Sequence, residues 1–200
     1  MSKYDEEYYV LRRFRDDESI PSLAPDKNTN NRGYTIGRVE GNSPLVFFNS
    51  IKDYQLQTNL EENIGEILFD SSYLLISDKV YKKIVLKNLP LDFTPAIYID
   101  NKEKWHEEYW YVRVTKNIDC WCREHSEYSK KSIEATGAHH IYCYVLDEKV
   151  LDKIEEKDRL IFEMDKSAMG DIVIHKSLME ELLDVGCAEE NFTLISEYEG

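Results

Sequence analysis

The stretch Leu74-Leu75-Ile76-Ser77-Asp78-Lys79-Val80-Tyr81-Lys82-Lys83-Ile84 decides the fold. Its apolar run, Leu74-Leu75-Ile76, suits a strand. Ser77 then stands where a hydroxyl can accept from an orphan amide of a first helical turn. Val80 and Ile84 follow four apart, on one helix face. The same spacing recurs twice. Tyr142-Cys143-Tyr144-Val145-Leu146 runs into Asp147, with Val150 and Ile154 on the expected buried face. Ile172-Val173-Ile174 runs into His175, with Leu178 and Leu182 on the buried face. In each unit apolar residues lie three and seven positions after the cap. For the last helix Ser177, with Glu180 closing a capping box, is an alternative start. These units predict an α+β fold, with mixed or antiparallel sheet(s) and short helices packed on it.

Working outward, Tyr8-Tyr9-Val10-Leu11 reads as a first strand, followed by Arg12, Arg13 and Arg15. Residues 16–32, with Pro21, Pro25, Asn28, Asn30 and Asn31, read as a loop, after which Gly33-Tyr34-Thr35-Ile36 is strand-like. Leu45-Val46-Phe47-Phe48 is a strand entered through Asn42-Ser43-Pro44. Residues 49–69 carry no clear pattern. Tyr109-Trp110-Tyr111-Val112-Arg113-Val114 is rich in residues that suit a pleated surface. Residues 126–137 read as an exposed connection, residues 158–164 as a strand, Gly186 as a helix stop, and Phe192-Thr193-Leu194-Ile195 as a last strand. No Pro- or Gly-rich linker separates two halves, so residues 1–200 are expected to form a single domain.

Charge narrows the class of partner. Asp and Glu number 39 against 25 Lys and Arg, so the formal net charge is −14. That balance argues against nucleic acid, whose binding needs neutralised phosphates, and against an anionic membrane surface. No window approaches 18 apolar residues, the length of a spanning helix. Met1 to Glu7 is polar and acidic, without the apolar segment of a secretory signal. The four cysteines then read as reduced thiols, and the expected location is cytoplasmic.

Three sets of residues could carry function. Cys120, Cys122 and His125, with His139, His140 and Cys143 further on, contain the ligand types of zinc. Their spacing is not that of a zinc site, and no base pattern or phosphate-cradling loop accompanies them. Cys120, Cys122 and Cys143 read more simply as small apolar residues on half-buried strands, which leaves a small metal-dependent hydrolase using Cys120, Cys122, His125, His139 and Cys143 as the alternative function. Short acidic groups (Glu61, Glu62 and Glu66; Glu107 and Glu108; Glu189 and Glu190) read either as a solvated face or as a surface that steers a basic partner. Residues 103–124 favour the second reading. They interleave Glu103, Glu107, Glu108 and Glu124 with Trp105, Trp110 and Trp121, and aromatic anchors rimmed by charge are what binding hot spots are built from. Trp110 and Tyr111 alternate across a strand, so at least one of them belongs to the core.

Several of these segments together resemble a bacterial immunity-protein family of polymorphic toxin systems. The opening Tyr8-Tyr9-Val10-Leu11-Arg12 is similar to the family's start. Leu75-Ile76-Ser77-Asp78-Lys79-Val80 is similar to its helix entry. Tyr109 through Cys120 resembles its aromatic strand and turn, and Glu124-His125-Ser126-Glu127-Tyr128 the continuation. Leu160-Ile161-Phe162 and Ile172-Val173-Ile174-His175, with Leu178, Leu182 and Gly186, resemble its closing strand–helix–strand. The chain departs from the pattern in having His175 for Ser at the cap and Glu163 for a basic residue. The resemblance covers residues 70–198 and the first dozen residues. It implies an α+β protein, not an enzyme and without cofactor, that binds and neutralises a cognate toxin domain. The acidic balance suggests a basic toxin, for example a nuclease. The resemblance itself assigns no contact residues; the interleaved stretch 103–124 makes Glu103, Trp105, Glu107, Glu108, Trp121 and Glu124 the expected ones.

Overall fold

A computed structural model describes residues 2–14, 17–34, 39–70 and 73–200. In chain order the strands are β1 (Tyr8–Leu11), β2 (Leu23–Pro25), β3 (Leu45–Asn49), β4 (Ile67–Asp70), β5 (Tyr73–Ser77), β6 (Leu91–Ile99), β7 (Trp105–Val114), β8 (Asn117–Ile118), β9 (Glu127–Tyr128), β10 (Ile141–Cys143), β11 (Ile161–Met164), β12 (Ile172–His175) and β13 (Phe192–Leu194). The helices are α1 (Lys27–Asn30), α2 (Lys52–Gln57), α3 (Asp78–Ile84), α4 (Glu148–Leu151) and α5 (Lys176–Asp184). One five-stranded sheet runs β13-β1-β12-β11-β8, and a six-stranded sheet runs β2-β3-β6-β7-β5-β4. Both are mixed, because β8 joins β11 and β3 joins β6 in parallel. The fold is α+β.

The six-stranded sheet curls on itself. Its edge strands meet where Ser22, just before β2, bridges Phe69 of β4. One face of all six strands fills the interior: Leu23, Leu45, Phe47, Leu68, Leu75, Ala96, Tyr98, Tyr109 and Tyr111 pack together with Tyr34. Closure of this kind removes exposed sheet edges. On the outside of β4, β5 and β7, a second apolar cluster joins this barrel to the five-stranded sheet. Ile67, Leu74, Ile76 and Val112 meet Ile161, Ile172 and Ile174, with Val80 and Ile84 of α3 and Leu178 and Leu182 of α5. The opposite face of the five-stranded sheet buries Tyr8, Val10, Phe162 and Val173 against Trp121, Tyr144 and Leu151. The runs Leu74-Leu75-Ile76 and Ile172-Val173-Ile174 are therefore unbroken because both of their faces are covered.

The strand–cap–helix units hold in two cases. Ser77 Oγ accepts from the Val80 amide at 3.3 Å and opens α3. His175 Nδ1 accepts from the Ser177 amide at 3.2 Å and opens α5, so His175 is the cap and the Ser177 alternative is not used. The middle unit differs. Asp147 does cap α4, but α4 is one turn long, and the residue it buries is Leu151, with Val150 and Ile154 only partly buried. A single turn has no extended face, so the three-and-seven spacing does not apply to it. Gly186 ends α5 at φ +93, a backbone region that favours glycine.

Three further segments depart from the sequence reading. The expected loop at 16–32 contains β2, anchored by Leu23 in the barrel, and α1, capped by Asp26. Gly33 and Tyr34 lie in a turn, and Thr35, Ile36 and Arg15 fall outside the described residues. The strand expected over 158–164 begins at Ile161, because Asp158 ends a helical turn.

Candidate functional site

The hairpin between β6 and β7 turns tightly at Asp100. Asp100 Oδ1 accepts from the amides of Lys102 and Lys104 at 2.8 and 2.9 Å, and its Oδ2 lies 3.0 Å from His106 Nε2. Burial alone would raise the Asp100 carboxyl, but these hydrogen bonds outweigh it and hold the pKa below the ordinary carboxylate value. Glu103 occupies the left-handed position of this turn at φ +63. Beneath it, Asn49, Gln55, Glu62 and Asn101 form a hydrogen-bonded plug. Asn49 Nδ2 donates to Gln55 Oε1 at 2.7 Å, and Asn101 Nδ2 donates to the same oxygen at 2.6 Å. The plug reaches the barrel interior through the Tyr98 hydroxyl, which donates to Glu62.

Register places a row of apolar residues beside this turn. Ala24 on β2 lies opposite Phe48 on β3, Phe48 lies beside Ile99 on β6, and Ile99 lies opposite Trp105 on β7. Val46 and Ile97 form the next row. Their neighbours Leu23, Leu45, Phe47 and Tyr98 point into the barrel, so strand alternation sends these rows outward. Phe48 is 42% exposed and Trp105 57% exposed. The carboxylates sit at the end of the row. Tyr98 pairs with His106 and Ala96 with Tyr109, so Glu107 and Glu108 together oppose the single residue Ile97. This is a β-bulge, a device that re-aims side chains. Glu103, Glu107 and Glu108 are all exposed.

Of the residues singled out in sequence, Glu103, Trp105, Glu107 and Glu108 are thus brought together on one hairpin. Trp121 is not an exposed anchor. It is 1% exposed, donates its indole N–H to the Asp165 carbonyl at 3.2 Å, and lies edge-on to Tyr128. Its sequence neighbours Ile118 and Cys120 lie in the cluster on the opposite face of the five-stranded sheet, which needs the ring as filling. Glu124 is exposed and lines a cavity with Arg123, His125 and Asp147 that includes none of residues 103–108. Trp110 is partly buried and stacks on Tyr81 at 4.0 Å, while Tyr111 is buried in the barrel. Sequence reasoning missed Phe48, Ile97 and Ile99. Alternation would have found them, had Leu45–Phe48 not been apolar at every position.

The cysteine and histidine set does not assemble. Among the described residues no group of three or more His, Cys, Asp or Glu side chains could hold a metal ion. Cys120 is buried against Met164, its Sγ 3.8 Å from Sδ. His139 Nδ1 lies 2.9 Å from the Ser129 carbonyl, and its ring packs on Tyr128. His125 and His140 are exposed. Burial pushes the Cys120 and Cys143 thiols up, and Cys187 up to about 12. Thiols shifted in that direction carry less of the nucleophilic thiolate at neutral pH. No helix among the described residues is long and apolar enough to cross a membrane.

The model of the Immunity protein family (Imm11) matches residues 12–196. The chain belongs to this immunity protein family. The match spans the six-stranded sheet, α5 and every strand of the five-stranded sheet except β1, so membership does not rest on a local motif. No curated protein matches the sequence. In this immunity protein the family match also takes in residues 16–69, which contribute β2, β3 and most of β4 to the barrel.

Proposed function

We propose that this protein is a cytoplasmic immunity protein that binds a cognate toxin domain stoichiometrically and blocks its active site or substrate path. Residues 1–200 act as one module, without catalysis or cofactor. The contact is centred on Glu103, Trp105, Glu107 and Glu108, and the toxin is basic, for example a nuclease. One observation carries the reading: in a chain of an immunity family, a tryptophan stands 57% exposed on a well-paired strand, flanked by carboxylates. Tryptophan is the residue type most enriched where protein–protein binding energy concentrates. Neutralisation by contact needs no reactive group, in keeping with the raised thiol pKa values. Trp121 supports the fold from within, and Glu124 lies outside the proposed contact.

A growth experiment tests this. Deleting the gene beside an active toxin gene should arrest or kill the cell when it meets toxin-bearing siblings, and restoring the gene should rescue it. Equal growth of the deletion strain would reject the reading.

A further inference from the structure

We infer that the outer wall of the barrel formed by β2, β3, β6 and β7 is the docking face, and that its occupant is a basic toxin surface with an apolar centre. The inference rests on the reading above and deepens it by naming the surface and the chemistry of the partner.

The argument begins with β3. Leu45-Val46-Phe47-Phe48 is apolar at every position, the pattern of a strand covered on both faces. The comparable runs of β5 and β12 do have two covers: each is flanked by two different apolar clusters. For β3 the apolar clusters of the described residues supply only one. Leu45 and Phe47 fill the barrel, while Val46 and Phe48 belong to none of the three clusters. The same holds for Ile97 and Ile99 of β6 and for Trp105 of β7. Register sets Phe48, Ile99 and Trp105 side by side across three strands, so exposed Phe48 and Trp105 flank half-buried Ile99 in one continuous row. Contiguous apolar surface with a polar rim marks an interaction site, unlike apolar residues scattered singly.

Charge selects the occupant. Residues 103–108 bring three carboxylates, Glu103, Glu107 and Glu108, against one lysine, Lys104. Lys52 lies 3.8 Å from Glu103 and offsets it in part. A second copy of this chain, pairing face to face about a two-fold axis, would set these carboxylates against their own copies, in a chain of net charge −14. Like charges across an interface oppose association, whereas Lys and Arg on a partner complement the rim and speed capture.

The test measures binding of the purified chain to an inactive form of the toxin domain encoded beside it. Trp105→Ala and Phe48→Ala are each expected to weaken binding about thirtyfold or more, mainly through faster dissociation. Circular dichroism and thermal melting of both variants should match the parent. Reversing Glu103, Glu107 and Glu108 to Lys should slow association about tenfold and flatten its salt dependence. Leu86→Ala, at a residue 90% exposed in the helical turn that follows α3, should bind like the parent. If the parent binds and the Trp105 and Phe48 variants bind equally well, the docking face is wrong while the function stands. If the parent does not bind, both readings fall. If the chain alone sediments as a dimer that Trp105→Ala dissolves, a second copy occupies the face and the inference is overturned.

Discussion

Phe47 is fully buried in the barrel, and its neighbour Phe48 leaves 42% of its surface in water. Phe47→Ala is therefore expected to cost about 3–5 kcal/mol of stability, the range for a large buried aromatic. Phe48→Ala should change stability by no more than about 0.5 kcal/mol. Urea denaturation of the two variants measures the contrast, and similar midpoints would show that the assignment of faces is wrong. Glu103 adopts a left-handed backbone at φ +63, which costs a residue with a Cβ about 1 kcal/mol or more. Glu103→Gly should consequently raise stability by up to about 1 kcal/mol, read as a higher melting temperature. A wild type that keeps glutamate there retains a carboxylate at the expense of backbone ease. Asp100 gives a pH dependence. Its carboxyl is held below the ordinary value in the folded state, so its contribution is complete above about pH 4, the unfolded value, and is lost as pH falls through the lowered folded value. Asp100→Asn should cost about 2 kcal/mol at neutral pH, since hydrogen bonds to a charged acceptor are lost. The same variant should show a shallower loss of stability below pH 4, measured by denaturation across a pH series.

At the scale of elements, the caps were readable because a cap and its helix are neighbours in sequence. Ser77 is the clearest case: its hydroxyl serves the Val80 amide and also donates to Glu66. Ser77→Ala is expected to cost about 1 kcal/mol, seen as a lower urea midpoint. The middle unit misled because periodicity was read past a helix only four residues long. β6 went unseen for a different reason. Pro95 breaks the strand pattern of residues 91–99, and proline is tolerated there because pairing with β3 begins only at Ala96. α2 was hidden because its buried residue is Gln55, fully covered yet polar, donating to the carbonyls of Glu18 and Ser19. No apolar periodicity announces a helix whose inward contact is a hydrogen-bonded amide.

Across the whole molecule, the barrel and the five-stranded sheet share one apolar cluster, so a lesion in one should unfold both. Leu75→Ala, which empties fully buried space in the barrel, should cost about 2–5 kcal/mol and still give one cooperative transition by circular dichroism and tryptophan fluorescence. Two separate transitions would contradict the shared core. The sequence by itself determined the strand-and-cap unit at Ser77, a second one opening at His175 or Ser177, the acidic balance, and, through ordered motifs, the resemblance to an immunity family. Those are local or compositional properties, carried by residues a few positions apart. Only the tertiary structure decided that six strands curl into a barrel, that Trp121 is filling while Trp105 is surface, and that Phe48 leaves the barrel core while Phe47 fills it. The physical reason is that a strand's alternation separates its two faces but does not say what packs on each. That depends on segments such as β3, β6 and β7, which meet only after the chain has folded.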